Sequence, residues 1–443
     1  MKLFYILLIS ILIQSCSFDN KTGIWKNENT ITKKKNKTFK DFKSINLLNQ
    51  SSEETIPIEK NYKFQLRPAS NNFNWNDIYY DQSNNLKNFK YDENYELFFK
   101  SKKISRNELN NFTLFEDNHI IATDSKGNLI IFSINEDKII SKYNFYKKKY
   151  KKIKKELNII VENNIIYISD NLGYLYSYNY KTNKILWAKK YEVAFSSNLK
   201  IFKNKIITTN QNNYLFYFDK YSGEILTTIP TEETLIKNNF KNNLSLNENL
   251  TFFINTFGSL YAINNDTTNL VWFLNLNKSI DINPSNLFNG NQIIVDKNNL
   301  VISSNQNTHI INQKTGQMLY KKNFALNSSI RPIILNDHLF TITKKNFLTA
   351  VNLKNGKTIY SYNLNSRIAE YLKIKKRDAD FKDLIILNNK IMIILQNSFV
   401  ILFKINGEIE YIRKLPTNIK TSPMIIDKSL IFIDKKNKIS ILN

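Results

Sequence analysis

Apolar and polar positions alternate with a period of two through residues 164–193, and no stretch there sustains a helical period. Residues 164–170 are apolar and β-branched, and Gly173 opens a tight turn. Residues 174–180 alternate aromatic with polar side chains, 181–184 (Lys-Thr-Asn-Lys) make a second turn, and 185–189 form a third strand. One such meander predicts antiparallel sheet and nothing more.

The same pattern recurs along the chain. The first-turn residue is Gly127, Gly173, Asn213, Gly258, Asn307, Asn346, Asn397 and Asn437 in turn, and each is followed two residues later by an apolar residue or by His309. Gly and Asn are the residues that reach positive φ most readily, as a primed hairpin turn demands. The second turn recurs as Asp137, Asn183, Gly223, Thr268, Gly316, Gly356 and Gly407. Four residues beyond it stand Ser141, Trp187, Thr227, Trp272, Tyr320, Tyr360 and Tyr411, mostly large aromatics. Four residues before it, Asn179, Asp219, Asn264, Asn312 and Asn352 carry a side-chain oxygen able to cap the turn.

Self-similarity every 40 to 50 residues, with four short strands per unit, predicts an all-β fold: an eight-bladed β-propeller of four-stranded antiparallel blades. Seven units between residues 112 and 415 show all four strands, whereas the last, 422–443, shows only three. Residues 96–100 (ELFFK) are expected to supply the missing strand and close the ring, which leaves no open edge. Residues 71–443 then form one propeller, and the lead-in around Phe73, Trp75, Ile78, Tyr79 and Tyr80 belongs to it.

The net charge of +25 raises a nucleic-acid reading, but the basic residues are overwhelmingly Lys scattered through the loops. Specific nucleic-acid sites lean on Arg forks and organised stripes, so no nucleic-acid partner is expected. Residues 1–15 pair a single Lys with an apolar run too short to span a bilayer, which reads as a signal peptide. The run ends at Ile13-Gln14-Ser15-Cys16, with the chain's only cysteine at the cleavage junction. That placement favours lipidation of Cys16 over an ordinary signal peptide with an incidental Cys, and it leaves no internal disulfide. Residues 16–70 read as the lipidated Cys and a flexible tether. Three insertions interrupt the repeat: 146–155 (YKKKYKKIKK), 231–247, and 365–382, where a short helical turn is expected. The first, rich in Lys, is read as a solvated loop, with contact to anionic headgroups as the alternative.

The unit G-x-L-Y-x-x-(N/D)-x-x-T-G-x-x-x-W, clear at 173–187 and 258–272 and decayed at 307–320, resembles the PQQ-type propeller repeat. Together with the lipobox, the tether and the Trp75 lead-in, the chain resembles the BamB family of outer-membrane assembly lipoproteins. The resemblance implies a non-enzymatic periplasmic scaffold of the BAM complex, held on the outer membrane; Ser17 after the Cys agrees with that sorting. It implies docking on a POTRA domain of a BamA-like partner and help to nascent outer-membrane proteins. The family's docking patch falls on the loops into blades four and five. Carried over, it places Leu235, Ile236 and Lys237 on the first loop, and on the second Asn289 and Asn291, where the family has acids.

Quinone-dependent dehydrogenases with this repeat hold their cofactor against a vicinal disulfide and a calcium. A lone cysteine at position 16 rules out the disulfide. His119, His309 and His338 are scattered with no metal-ligand spacing, and the adjacent acids Glu53-Glu54 and Glu232-Glu233 point apart in an extended chain. No cofactor, metal or catalytic set is expected, and Asn, Ile and Tyr are expected at the propeller axis. The competing reading is a periplasmic PQQ-repeat propeller that binds a small ligand or quinone in its central funnel and could act as a dehydrogenase.

Overall fold

All seven second-turn residues, from Asp137 to Gly407, hold positive φ, and each leads into the outer strand of its blade. In the computed structural model, residues 16–19, 24–27 and 53–443 are described, apart from 235–240, 242, 278–287, 289, 291, 305 and 376. Blades 1 to 7 occupy residues 114–144, 157–190, 200–229, 243–275, 294–322, 333–363 and 381–414, each an antiparallel meander of four strands. Blade 8 takes three strands from 424–442 and its fourth from Leu97–Lys103, which pairs antiparallel with Lys438–Leu442. The expected closure by an N-terminal strand is therefore observed.

Within each blade the first strand is innermost and mostly buried, wholly so in Leu114–Glu116 and Lys200–Phe202. The fourth strand is outermost and largely exposed in blades such as the second, at Lys184–Lys190, whereas Thr358–Asn363 of blade 6 is mostly buried. The aromatic repeat has a mechanical role here. In blades 1 to 7 the pairing of third and fourth strands slips by one residue at the same place, for example between Ser177 and Tyr178 or between Ala262 and Ile263. This bulge sharpens the twist and turns the next side chain toward the following blade. Trp187 so lies against Gly223 and donates from Nε1 to the Lys220 carbonyl at 3.1 Å. Trp272 lies against Gly316 and donates to the Gln313 carbonyl at 2.9 Å, and the Tyr320 hydroxyl reaches the Lys354 carbonyl at 2.6 Å beside Gly356. Each such ring buries on the order of 150–250 Å² at the most. Tyr411, on blade 7, hydrogen-bonds Tyr95 at 3.0 Å, just before the closing strand.

Three features depart from or sharpen the sequence expectation. The turn at Asn397 moves on by one residue, so that Ser398 takes the positive φ. The 365–382 insertion holds a full helix, α1 (Leu364–Leu372), capped by the Asn363 side chain accepting from the Ser366 amide and ended by Lys373 at φ 54°. In the separate N-terminal unit, where no regular element is expected, Cys16–Asp19 pairs antiparallel with Ile24–Asn27.

The propeller unit starts at Glu53, before the expected boundary at residue 71. Ile56 pairs with Ser361 on the outer strand of blade 6, Tyr62 hydrogen-bonds His338 at 2.9 Å, and Phe64 packs on Phe340 and Tyr360.

Gly316 sits at φ +73°, and a Cβ there would lie 2.7 Å from the Trp272 ring. Gly316→Ala is expected to destabilise the protein by more than about 1 kcal/mol in urea unfolding. Lys314→Ala, on the exposed arm of the same turn, is expected to stay within about 0.5 kcal/mol.

Candidate functional site

Residues 72–92 make one full circuit of the propeller axis, touching the inner strand or hairpin of every blade in chain order. Asn72 binds the Ile425 carbonyl of blade 8, Trp75 pairs with Phe115 of blade 1, and the Asn76 carbonyl accepts from Val161 of blade 2. Gln82 spans Ile201 and Leu246 of blades 3 and 4, and Ser83 accepts from Val295 of blade 5. Asn85 exchanges two hydrogen bonds with Ile334 of blade 6, Asn88–Phe89 adds a parallel strand to blade 7, and Asp92 returns to Lys428 of blade 8. An inner strand left unpaired at the axis would expose its backbone groups, and the circuit satisfies them.

Charged groups are buried within it. Lys200 is fully enclosed and donates to Asp77 at 2.7 Å, to Asn84 Oδ1 at 2.6 Å and to the Asp81 carbonyl at 2.8 Å. Burial pushes the Asp77 carboxyl up and the Lys200 amine down, each against the pull of the other. Arg331 lies 5.8 Å over the Tyr79 ring, and burial likewise raises Asp383, with Arg331 opposing. The expectation of only Asn, Ile and Tyr at the axis is thus corrected. Lys200 and Asp383 occupy strand positions at which burial, and not residue type, decides what faces inward.

A cavity of about 400 Å³ opens at the end of the propeller that carries the blade-to-blade connections. Tyr79 and Ile78 lie among its walls, with Phe112, Leu157 and Asn243. Ion pairs Lys154–Glu108 at 3.3 Å and Lys241–Glu156 at 3.2 Å join residues of this wall.

Among the described residues no three His, Cys, Asp or Glu side chains gather as a metal cluster. Among the described axial carboxylates Asp77 is paired with Lys200 and Asp383 faces Arg331, and Cys16 is the only thiol in the chain, so these residues do not fit a calcium–quinone pair.

A family described as "Outer membrane protein assembly factor BamB" matches residues 233–443, just under half of the chain. BamB from Moraxella catarrhalis aligns over 77% of this chain and 99% of its own, with a TM-score of 0.59 at 14% identity. The fold is that of a PQQ-like propeller, and residues 233–443 are similar in sequence to the BamB family. Quinohemoprotein alcohol dehydrogenase from Comamonas testosteroni aligns over 84% of this chain and 81% of its own, with a TM-score of 0.61 at 10% identity. A europium-containing methanol dehydrogenase aligns over 83% and 89%, with a TM-score of 0.59 at 10% identity. At such identities these structures share the fold alone. No protein of curated function matches the sequence.

The docking residues expected from the sequence, Leu235, Ile236, Lys237, Asn289 and Asn291, lie outside the described residues. Described residues of each of their two loops reach the first turn of blade 4. Glu232 accepts from Asn255, Ser259 and Tyr261 at the first turn of blade 4; burial pushes its carboxyl up, but these donors hold it below the usual range. Phe288 donates its amide to Thr256 of the same turn at 3.0 Å and fills the space that a Cβ on Gly258 would need. Both loops therefore rest on residues 255–259. Glu232, read from sequence as an idle member of an acid pair, is in fact this anchor; its partners come from a different strand, which adjacency in sequence does not reveal. The three histidines are buried on separate strands, with His338 bound by Tyr62. Cys16 sits in the two-stranded hairpin of the N-terminal unit.

Lys200→Met strands the Asp77 carboxylate in the axis, and a cost of about 3–5 kcal/mol in unfolding free energy is expected. Asp77→Asn/Lys200→Met is expected to recover at least half of that loss in the same denaturant titration, since it removes both charges.

Proposed function

We propose that the protein is a non-enzymatic scaffold of outer-membrane β-barrel assembly, periplasmic and anchored through acylated Cys16. In this reading it docks by the loops into blades 4 and 5 on a POTRA domain of a BamA-like subunit and assists insertion of barrel proteins. The observation that carries it is the axial circuit: the chain's own residues 72–92 fill the centre of the ring, leaving the loops as the working surface. The BamB family match and the common footing of the two loops on residues 255–259 support it. Loops fixed on a rigid ring lose little freedom on binding, and exposed loop backbone can pair with a partner's edge strand.

The mouth cavity supports a second reading, a propeller that binds a small ligand, because its volume lies within the range of ligand pockets.

A mild-detergent pull-down from native outer membranes, with the intact lipoprotein as bait, tests the first. It is expected to recover a POTRA-containing barrel protein, and Cys16→Ala is expected to shift the bait out of the membrane fraction. Recovery of the lipoprotein alone, with a visible absorbance that changes on addition of PQQ and calcium, would replace the scaffold with the ligand-binding reading.

A further inference from the structure

We propose that the connection end of the propeller is a seat for an anionic phospholipid surface, gripped by two basic inserts that each expose aliphatic side chains. The orientation rests on the anchored reading above; the surface chemistry does not.

The first insert runs between blades 1 and 2. Lys147, Lys148, Lys151 and Lys152 are exposed there, with Ile153 42% exposed among them. Within this insert only Lys154 enters an ion pair among the described residues. The loop is pinned from below. The Tyr146 hydroxyl donates to Asp170 at 2.6 Å, its ring covers Gly127, the Tyr150 and Tyr174 hydroxyls are 3.0 Å apart, and buried Lys155 reaches the Tyr150 carbonyl. A loop held this firmly keeps Ile153 in water, and transfer of its side chain into an apolar environment would be favourable.

The second insert, α1 and the residues after it, lies between blades 6 and 7. Leu372 is 44% and Ile374 52% exposed, beside Tyr371 and interleaved with exposed Lys373, Lys375 and Arg377. Arg367 stacks 4.2 Å over Tyr362, and Asn365 ties down Asp378 and the Ala379 amide, so this projection too is fixed at its root.

Both inserts lie at one end of the ring, because connections and first turns share that end in every blade. Along the arc between them the first turns add exposed Lys435, Lys436 and Lys126. Of the acids in the two inserts and their bases, Glu108 and Glu156 are neutralised by Lys154 and Lys241, Asp378 is bound by Asn365, and Glu370 and Asp380 are outnumbered. The described propeller chain also enters at this end: Glu53 binds Thr343 in the first turn of blade 6, next to the start of α1 at Leu364, whose amide meets Asn346. Aliphatic tips set among Lys suit the boundary between headgroups and acyl chains, where Lys meets phosphate and the aliphatic groups enter the hydrocarbon. Nucleic acid would engage the Lys and leave the tips unused.

The test is vesicle flotation with the chain from Ser17, which carries no acyl group. Vesicles of phosphatidylcholine alone are compared with vesicles that also contain phosphatidylglycerol. Binding is expected only with phosphatidylglycerol and is expected to weaken as salt rises. Lys151→Ala/Lys152→Ala should lower the partition constant roughly twenty-five-fold, from a factor of about five for each Lys near the surface. Leu372→Asp/Ile374→Asp should lower it at least about tenfold. All four side chains are exposed, so unchanged thermal unfolding midpoints separate these losses from misfolding. Equal flotation on both vesicle types, none on either, or variants that bind like the parent would overturn the proposal. Acyl-free protein and pure lipids make this outcome independent of the pull-down, so either reading fails without the other.

Discussion

Everything in this ring depends on one contact repeated around it: an aromatic side chain of one blade seated on the left-handed turn of the next. The contact has two halves, and each is useless alone. The turn must reach positive φ without a bulky Cβ, as at Gly223, Gly316 and Gly356. The outer strand must bulge one residue earlier, so that Trp187, Trp272 or Tyr320 leans sideways out of its own sheet. Sheets packed face to face with no covalent link resist shear through such interlocking, and the indole or hydroxyl hydrogen bond fixes the depth of the seat.

Where the motif has decayed, the geometry survives by substitution. Ser141 stands at an aromatic position, and its hydroxyl meets Tyr178 reaching back from blade 2 at 2.9 Å. At Thr268 a β-branched residue accepts φ +58° in place of glycine. Such exchanges keep the fold at ten to fourteen per cent identity to other propellers, because the ring demands a filled seat and not a particular residue.

Periodicity made the blades and the closing strand legible in the sequence, since both follow from alternation and turn chemistry counted along the chain. The bulges were not legible: a one-residue slip leaves Leu186 or Val271 looking like any strand residue. Nor was the axial circuit, because its partners lie up to several hundred residues away and its own segment alternates with no fixed period. Trp75, Tyr79 and Tyr80 announced an aromatic cluster, but not that Asp77 and Asn84 beside them would enclose Lys200. Of the candidate site, the repeat placed both loops at the same end of the ring. Their shared footing through Glu232 and Phe288 required knowing which first turn lies beneath them.

The circuit of residues 72–92 also orders events in time. Residues 72–103, ahead of the first blade, supply both the spindle on which all eight inner strands are hung and the last strand of the final blade. Synthesis delivers the spindle first, yet it has no complete partner until residue 442 has emerged. Blades can form locally as hairpins, but the ring is a late, long-range event of the kind that folds slowly. Until it shuts, two sheet edges and a buried Lys–Asp pair stand open to water. The molecule thus has a long interval in which it needs protection from the same edge-to-edge pairing that its finished form forbids.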